Sequence, residues 1–213
     1  MEVLAREESV SVDFRDCRKI IISQEGKLCE VYFEAKSVPD EWREDLWTIY
    51  EHSMHVDESI QEQSCYDRPG LMAILGDEGY GKTVLFVDDQ IAAFGLSTRS
   101  VDRMTDAYLN PRYIEKHFGR ELEENRFIYI LAICVSPGSR NIMLGKMLLW
   151  VAIRELHEKD YVLGMDVCMP RDFMIPVIKH LGEETGYPVE DELLGTQSYF
   201  LLRRPSRAAA ISG

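Results

Sequence analysis

The sequence is short of everything that a membrane span, a disulfide scaffold or a polyanion binder requires. Its apolar runs fall below the about 20 residues that cross a bilayer as a helix. The start, Met1-Glu-Val-Leu-Ala-Arg-Glu-Glu, lacks the basic lead and apolar stretch of a secretory signal, so a cytoplasmic location is expected. The five cysteines (Cys17, Cys29, Cys65, Cys134 and Cys168) are odd in number, scattered and never spaced C-x-x-C. That argues against a disulfide framework and gives a zinc site little support, so no metal is expected. Cys134 and Cys168 stand in apolar, strand-like stretches, where free buried thiols suit a reducing compartment. Positive charge is scarce: 24 Lys and Arg against 37 Asp and Glu leave a formal net charge of −13. Such a surface repels nucleic acid and anionic membranes and draws in cations, an amine or a basic peptide among them. An acidic surface also serves solubility alone. No internal repeat and no low-complexity segment is evident.

What is present suffices for one core. At 213 residues, with 46% hydrophobic and 29% charged, the chain can fill one domain and is too short for two comfortable ones. The expected organisation is a single domain over residues 17–204 between flexible ends, 1–16 and 205–213. Arg18–Ser23 and Leu28–Phe33 read as a hairpin turning through Glu25-Gly26-Lys27. Ser37 is an expected N-cap, with Asp40 as its capping-box acid and Pro39 in the first turn of the helix. Trp42, Leu46, Ile49 and Tyr50 recur at helical spacing and should face the core. A second helix is expected from about Asp57, ended by Pro69-Gly70. Val84–Val87 and Ile91–Ser97 flank a turn at Asp88-Asp89-Gln90. A helix over Pro111–Phe118 follows, and later a strand over Tyr161–Cys168, a helix over Phe173–Leu181 with Pro176 early in it, and a strand over Ser198–Leu202.

Gly76-Asp-Glu-Gly-Tyr-Gly81-Lys82-Thr83 matches the P-loop pattern letter for letter. A working P-loop follows a strand and opens a helix, so that backbone N–H groups converge on phosphate. Here Lys82-Thr83 runs into the β-type stretch Val84-Leu-Phe-Val87, which would commit those N–H groups to a sheet. The segment therefore reads as a glycine-rich surface loop.

The most informative stretch is Phe127–Val135, then Ser136-Pro137-Gly138, then a helix from Asn141 to about Lys159. An apolar strand that turns directly into a helix leaves the first N–H groups of that helix without internal partners. With the positive end of the helix dipole they suit a phosphate or diphosphate, hence a nucleotide-bearing cofactor. Val135-Ser136-Pro137 and Arg140-Asn141-Ile142-Met143-Leu144-Gly145 resemble motif A of the GNAT superfamily of acyl-CoA N-acyltransferases. The family pattern is Val-x-Pro ending a strand, then Arg/Gln-x-x-Gly-x-Gly/Ala opening a helix. Met143 replaces the first family glycine, which is tolerable only if its side chain points away from the phosphates.

The resemblance implies an α+β fold in three layers, with a mixed, mainly antiparallel sheet flanked by helices and one splayed strand pair. The order of elements from Val31 to Arg203 is similar throughout. It implies acetyl-CoA or another acyl-CoA as donor and a small-molecule or peptide amine as acceptor, and a homodimer is also considered. The backbone of Ile133 and Val135 would hold the pantetheine arm in the gap between the splayed strands. Amides from Asn141 through Ile142, Met143, Leu144 and Gly145 to Lys146 would take the phosphates, aided by the charges of Arg140 and Lys146.

The acid and base are less legible. Tyr129 stands near the place where some relatives carry a glutamate base, with Glu124 and Asp166 as other candidates. Ile178 replaces the tyrosine that often serves as acid, leaving His180 and Tyr187 as substitutes. Gly95–Arg99 and Gly186-Tyr-Pro-Val are also similar to segments of autoinducer and N-acyl amino acid synthases. Those enzymes take acyl groups from acyl carrier protein, a donor with a single phosphodiester. Met143 and Ile178 also leave open a degenerate GNAT-like domain that binds without catalysis.

Overall fold

The computed structural model describes residues 17–24, 27–54, 66–104, 111–137, 142–157, 160–168, 174–187, 189–194 and 197–202. The expected flexible ends, 1–16 and 205–213, lie outside these residues, as does Cys65. The strands are β1 (Arg18–Gln24), β2 (Lys27–Ala35), β3 (Tyr80–Val87), β4 (Gln90–Thr98), β5 (Phe127–Val135), β6 (Val162–Cys168), β7 (Val189–Leu194) and β8 (Gln197–Leu202). The helices are α1 (Asp40–Met54), α2 (Arg68–Gly76), α3 (Pro111–Glu123), α4 (Ile142–His157) and α5 (Met174–Thr185). A 3-10 turn covers Val101–Arg103. One sheet holds all the strands in the order β1-β2-β3-β4-β5-β6-β8-β7, antiparallel everywhere except the β5–β6 pair. This is the expected α+β architecture.

Local chemistry accounts for most of the boundaries. Asp88 and Asp89 both take positive φ, +51° and +62°, the left-handed pair that closes a tight hairpin in register with the twist of β3 and β4. Two expectations need correction. The first helix begins at Asp40 instead of being capped by Ser37; the Trp42 N–H donates to the Pro39 carbonyl. Pro69-Gly70 opens a helix and does not end one. Asp67 caps α2 by accepting from the Gly70 N–H at 2.8 Å, and proline fits the first turn because its missing N–H has no partner there anyway. The remainder of the helix expected from Asp57 falls outside the described residues. Strand β7 is an addition that the sequence reading lacked.

The helices cover both faces of the sheet. Helices α1 and α2 bury Leu46, Ile49, Tyr50, Leu71 and Leu75 against Val84, Phe94, Leu96 and Cys134. On the opposite face α4 lays Met147, Leu148 and Val151 over Val31, Phe33, Leu85 and Ala93. Helix α5 joins it there, packing Ile178 and Leu181 with Leu149, Ile153 and Leu163. Helix α3 covers Phe127 and Tyr129 with Ile114 and Phe118, on the side away from α4 because strand residues alternate.

What positions the site is the fork between β5 and β6. Their parallel ladder runs from Phe127↔Val162 to Ile130↔Met165 and stops. Strand β5 continues to Val135 beside β4, whereas the rest of β6, Asp166 to Cys168, pairs with β8. At the branch point the β4–β5 register steps from Leu96↔Ala132 to Ser97↔Ile130, leaving Leu131 as an extra residue. A bulge bends the strand that carries it, so Leu131 turns β5 aside where β6 departs. The stem is tightly packed: a Cβ on Gly164 would sit 2.9 Å from Phe127 Cζ and 3.0 Å from Tyr129 Cδ2.

Candidate donor site at the fork

Hydrogen-bond direction decides which atoms of β5 face the open side of the fork. The Ser136 N–H donates to the Ala92 carbonyl at 2.9 Å, so Ser136 points toward β4. Strand alternation turns the N–H and C=O of Val135 and Ile133 to the other edge, where β6 has left. No described strand pairs with that edge beyond Ile130. Both residues named for the pantetheine arm thus present backbone groups to the gap. At Val135 the position is occupied from within the chain. The Ser53 hydroxyl, in the last turn of α1, donates to the Val135 carbonyl at 3.1 Å and accepts from its N–H at 3.2 Å. Sequence reasoning missed Ser53, because nothing in its local pattern relates it to a strand 82 residues away.

Helix α4 starts beside the same strand end. Gly145 is buried, and a Cβ there would lie 3.7 Å from Val135 Cγ2 and 3.8 Å from Ile133 Cγ2. The first turn of α4 therefore rests directly on the end of β5, beside the fork. Met143 is 36% exposed. Leu144 is half-buried against the α4-side core. Lys146 Nζ stands 3.9 Å from the Glu184 carboxylate of α5, a loose contact on partly exposed side chains. Arg140 and Asn141 lie outside the described residues, and Ile142 contributes the first helical residue. Below the fork, on the α4 face, a small and mainly apolar cleft of about 30 Å³ is lined by Phe33, Ile130, Ile133, Leu148 and Leu163.

The three residues considered for acid–base chemistry do not converge. Tyr129 sits in the stem of the fork, 1% exposed, its ring alongside Phe127 under α3. Tyr187 is 2% exposed in the cluster under α5, on the other side of the sheet, and its N–H donates to the Gly182 carbonyl. His180 is on the exposed side of α5, with Nε2 3.2 Å from the Glu184 carboxylate. Glu124 lies in the turn before the closed end of β5, whose first residue, Phe127, is roughly 20 Å from Ile133 at about 3.3 Å per strand residue. Hydrogen bonds from Arg120 and then Arg126 hold its carboxyl below the usual range, which makes it a weaker base still. Asp166 is the first β6 residue past the ladder with β5. Ile178, in the place of the family tyrosine, is core.

The P-loop-like segment forms a different object. It runs from the end of α2 through a turn into β3, the reverse of strand–loop–helix. Lys82 is fully buried, and its ammonium donates to the carbonyls of Lys36, at 2.6 Å, and Asp77. Burial pushes its pKa down to about 8. Among the described residues no group of three His, Cys, Asp or Glu is placed to hold a metal ion. No described helix is long and apolar enough to cross a membrane.

At the level of sequence, no family profile and no curated protein matches the chain. Solved structures do match. The GNAT domain of S. lividans PAT superposes with a TM-score of 0.57 at 11% identity, over 87% of this chain and 96% of that one. Diaminobutyrate acetyltransferase EctA from Paenibacillus lautus, solved with L-2,4-diaminobutyric acid and coenzyme A, gives 0.51 at 10% identity, over 81% and 94%. FeeM, an N-acyl amino acid synthase from uncultured soil microbes, gives 0.51 at 11% identity, over 88% and 99%.

Proposed function

The chain has the GNAT fold, and from that premise we propose that it is an N-acyltransferase, most simply an N-acetyltransferase. It would move an acyl group from acyl-CoA to a primary amine in the cytoplasm. The observation that carries this reading is the fork: two backbone positions, Ile133 and Val135, on an edge that no described strand covers, the second held by Ser53, with the first turn of α4 seated beside them at Gly145. A strand edge of that kind suits the extended diamide arm of pantetheine, and the helix amides suit the phosphates that follow it. Residues 142–146, with Arg140, would hold the nucleotide end. The amine nitrogen attacks the thioester carbonyl, the C–S bond breaks, and the amine proton passes to solvent or a nearby base as the thiolate leaves. The net charge of −13 favours approach of a cationic amine, small or peptidic.

A second reading is a synthase that draws its acyl group from acyl carrier protein. The apolar lining of the small cleft below Ile133 is the observation that favours it, since a longer acyl chain needs apolar walls to enter between. Thermal unfolding with acetyl-CoA, long-chain acyl-CoA and free CoA separates the readings. At about 100-fold excess over Kd a ligand should raise Tm by roughly 5–10 °C for a chain of this size. Shifts by CoA compounds support the first reading. Thioester consumption from carrier protein, without such shifts, supports the second. Silence in every assay removes both and leaves a binding domain without catalysis.

A further inference from the structure

Ser53 holds the backbone position that the donor needs. Its hydroxyl bonds simultaneously to the N–H and the C=O of Val135, the two groups a neighbouring strand or an amide-bearing arm would pair. The contact lies within the fork, where β6 has already turned away to β8. It arises from the last turn of a helix whose body is anchored by Leu46, Ile49 and Tyr50 against the sheet. A hydroxyl is the smallest group able to donate and accept at one such position.

We propose that Ser53 is a placeholder for the donor, so that its hydrogen bonds to Val135 and the seating of a pantetheine amide on Val135 exclude one another. The inference rests on the acyltransferase reading and adds a specificity-tuning residue to it. The end of α1 satisfies an otherwise unpaired strand edge in the free protein, because a buried N–H or C=O left without a partner is destabilising. An entering arm must displace the hydroxyl before it can pair with the strand. Donor affinity is therefore set by a competition, and Ser53 weakens it. The same step moves the end of α1 from the fork only when the arm arrives.

The test measures binding of coenzyme A by calorimetry to the full chain and to Ser53→Ala and Ser53→Thr. Removing the hydroxyl should tighten coenzyme A binding by about fivefold or more, while threonine, which keeps it, should leave the affinity near the parent value. The adenine nucleotide half of coenzyme A, lacking the arm, should bind all three proteins alike. Hydrogen exchange gives a second readout: the Val135 amide should exchange faster in Ser53→Ala and regain protection on adding coenzyme A. If the parent binds coenzyme A and Ser53→Ala binds it equally or more weakly, the placeholder is overturned while the donor site stands. If folded parent and variant both fail to bind it, the acyl-CoA reading falls and takes this inference with it.

Discussion

Two glycine-bearing segments of this chain promise a phosphate site, and they behave in opposite ways. Gly76–Thr83 satisfies its motif in every letter but follows a helix and enters a strand, so the N–H groups of Asp77, Gly79 and Tyr80 are spent within the turn, Lys82 and Thr83 stand in the β3 ladders, and the lysine is buried against carbonyls. Val135–Lys146 departs from its motif at Met143 yet has the strand-then-helix order, an edge that no described strand covers and a helix start seated beside that edge. The difference teaches that the phosphate site proposed here depends on strand-then-helix order more than on the letters of a motif. Side-chain letters follow that geometry and do not create it.

The comparison can be broken most directly at Gly145. Gly145→Ala should fold and bind as the parent does, since its Cβ would make only ordinary contacts with Val135 and Ile133. Gly145→Glu forces a carboxylate into the mouth of α4, and any Tm shift caused by coenzyme A should disappear. A preserved shift in the glutamate variant would move the site elsewhere.

The other segment predicts a change in stability with no change in ligand binding. Lys82 titrates near 8 in the folded protein against about 10.4 when unfolded, so between those values the unfolded chain binds more protons and stability rises with pH. The rise should total roughly 3 kcal/mol by pH ~10 and should vanish from Lys82→Met, judged by urea midpoints of both proteins at each pH. If Lys82→Met instead lost a nucleotide-dependent Tm shift present in the parent, the P-loop letters would have to be taken at face value. The smallest effect is expected at His180. Its ring is 57% exposed with one partner on its own helix, so His180→Gln should alter stability by less than about 0.5 kcal/mol and leave turnover intact. Loss of turnover at constant Tm would identify it as the missing acid.

Much of the scaffold was legible from local pattern. Phe127–Val135 is the strand that its apolar, β-favouring run requires, and Asp88-Asp89 is the turn that its residue types favour. Reading failed where one residue type serves two ends of an element: Pro69-Gly70 can close a helix or open one, and only the Asp67 cap decides between them. At the site, the family resemblance named Ile133 and Val135 for the donor arm, and their backbone groups turn toward the gap. The acid–base residues did not, because Tyr129, His180 and Tyr187 belong to different layers and no spacing records that.

By itself the sequence determined most of the elements and their faces, β7 and the start of α2 excepted, since periodicity and turn chemistry act within a few residues. Only the tertiary structure decided the fork at Leu131, the burial of Lys82 and the contact of Ser53 with Val135. Each depends on segments far apart in the chain meeting in space, where packing and the need to pair every buried N–H and C=O choose among partners that local pattern leaves equal.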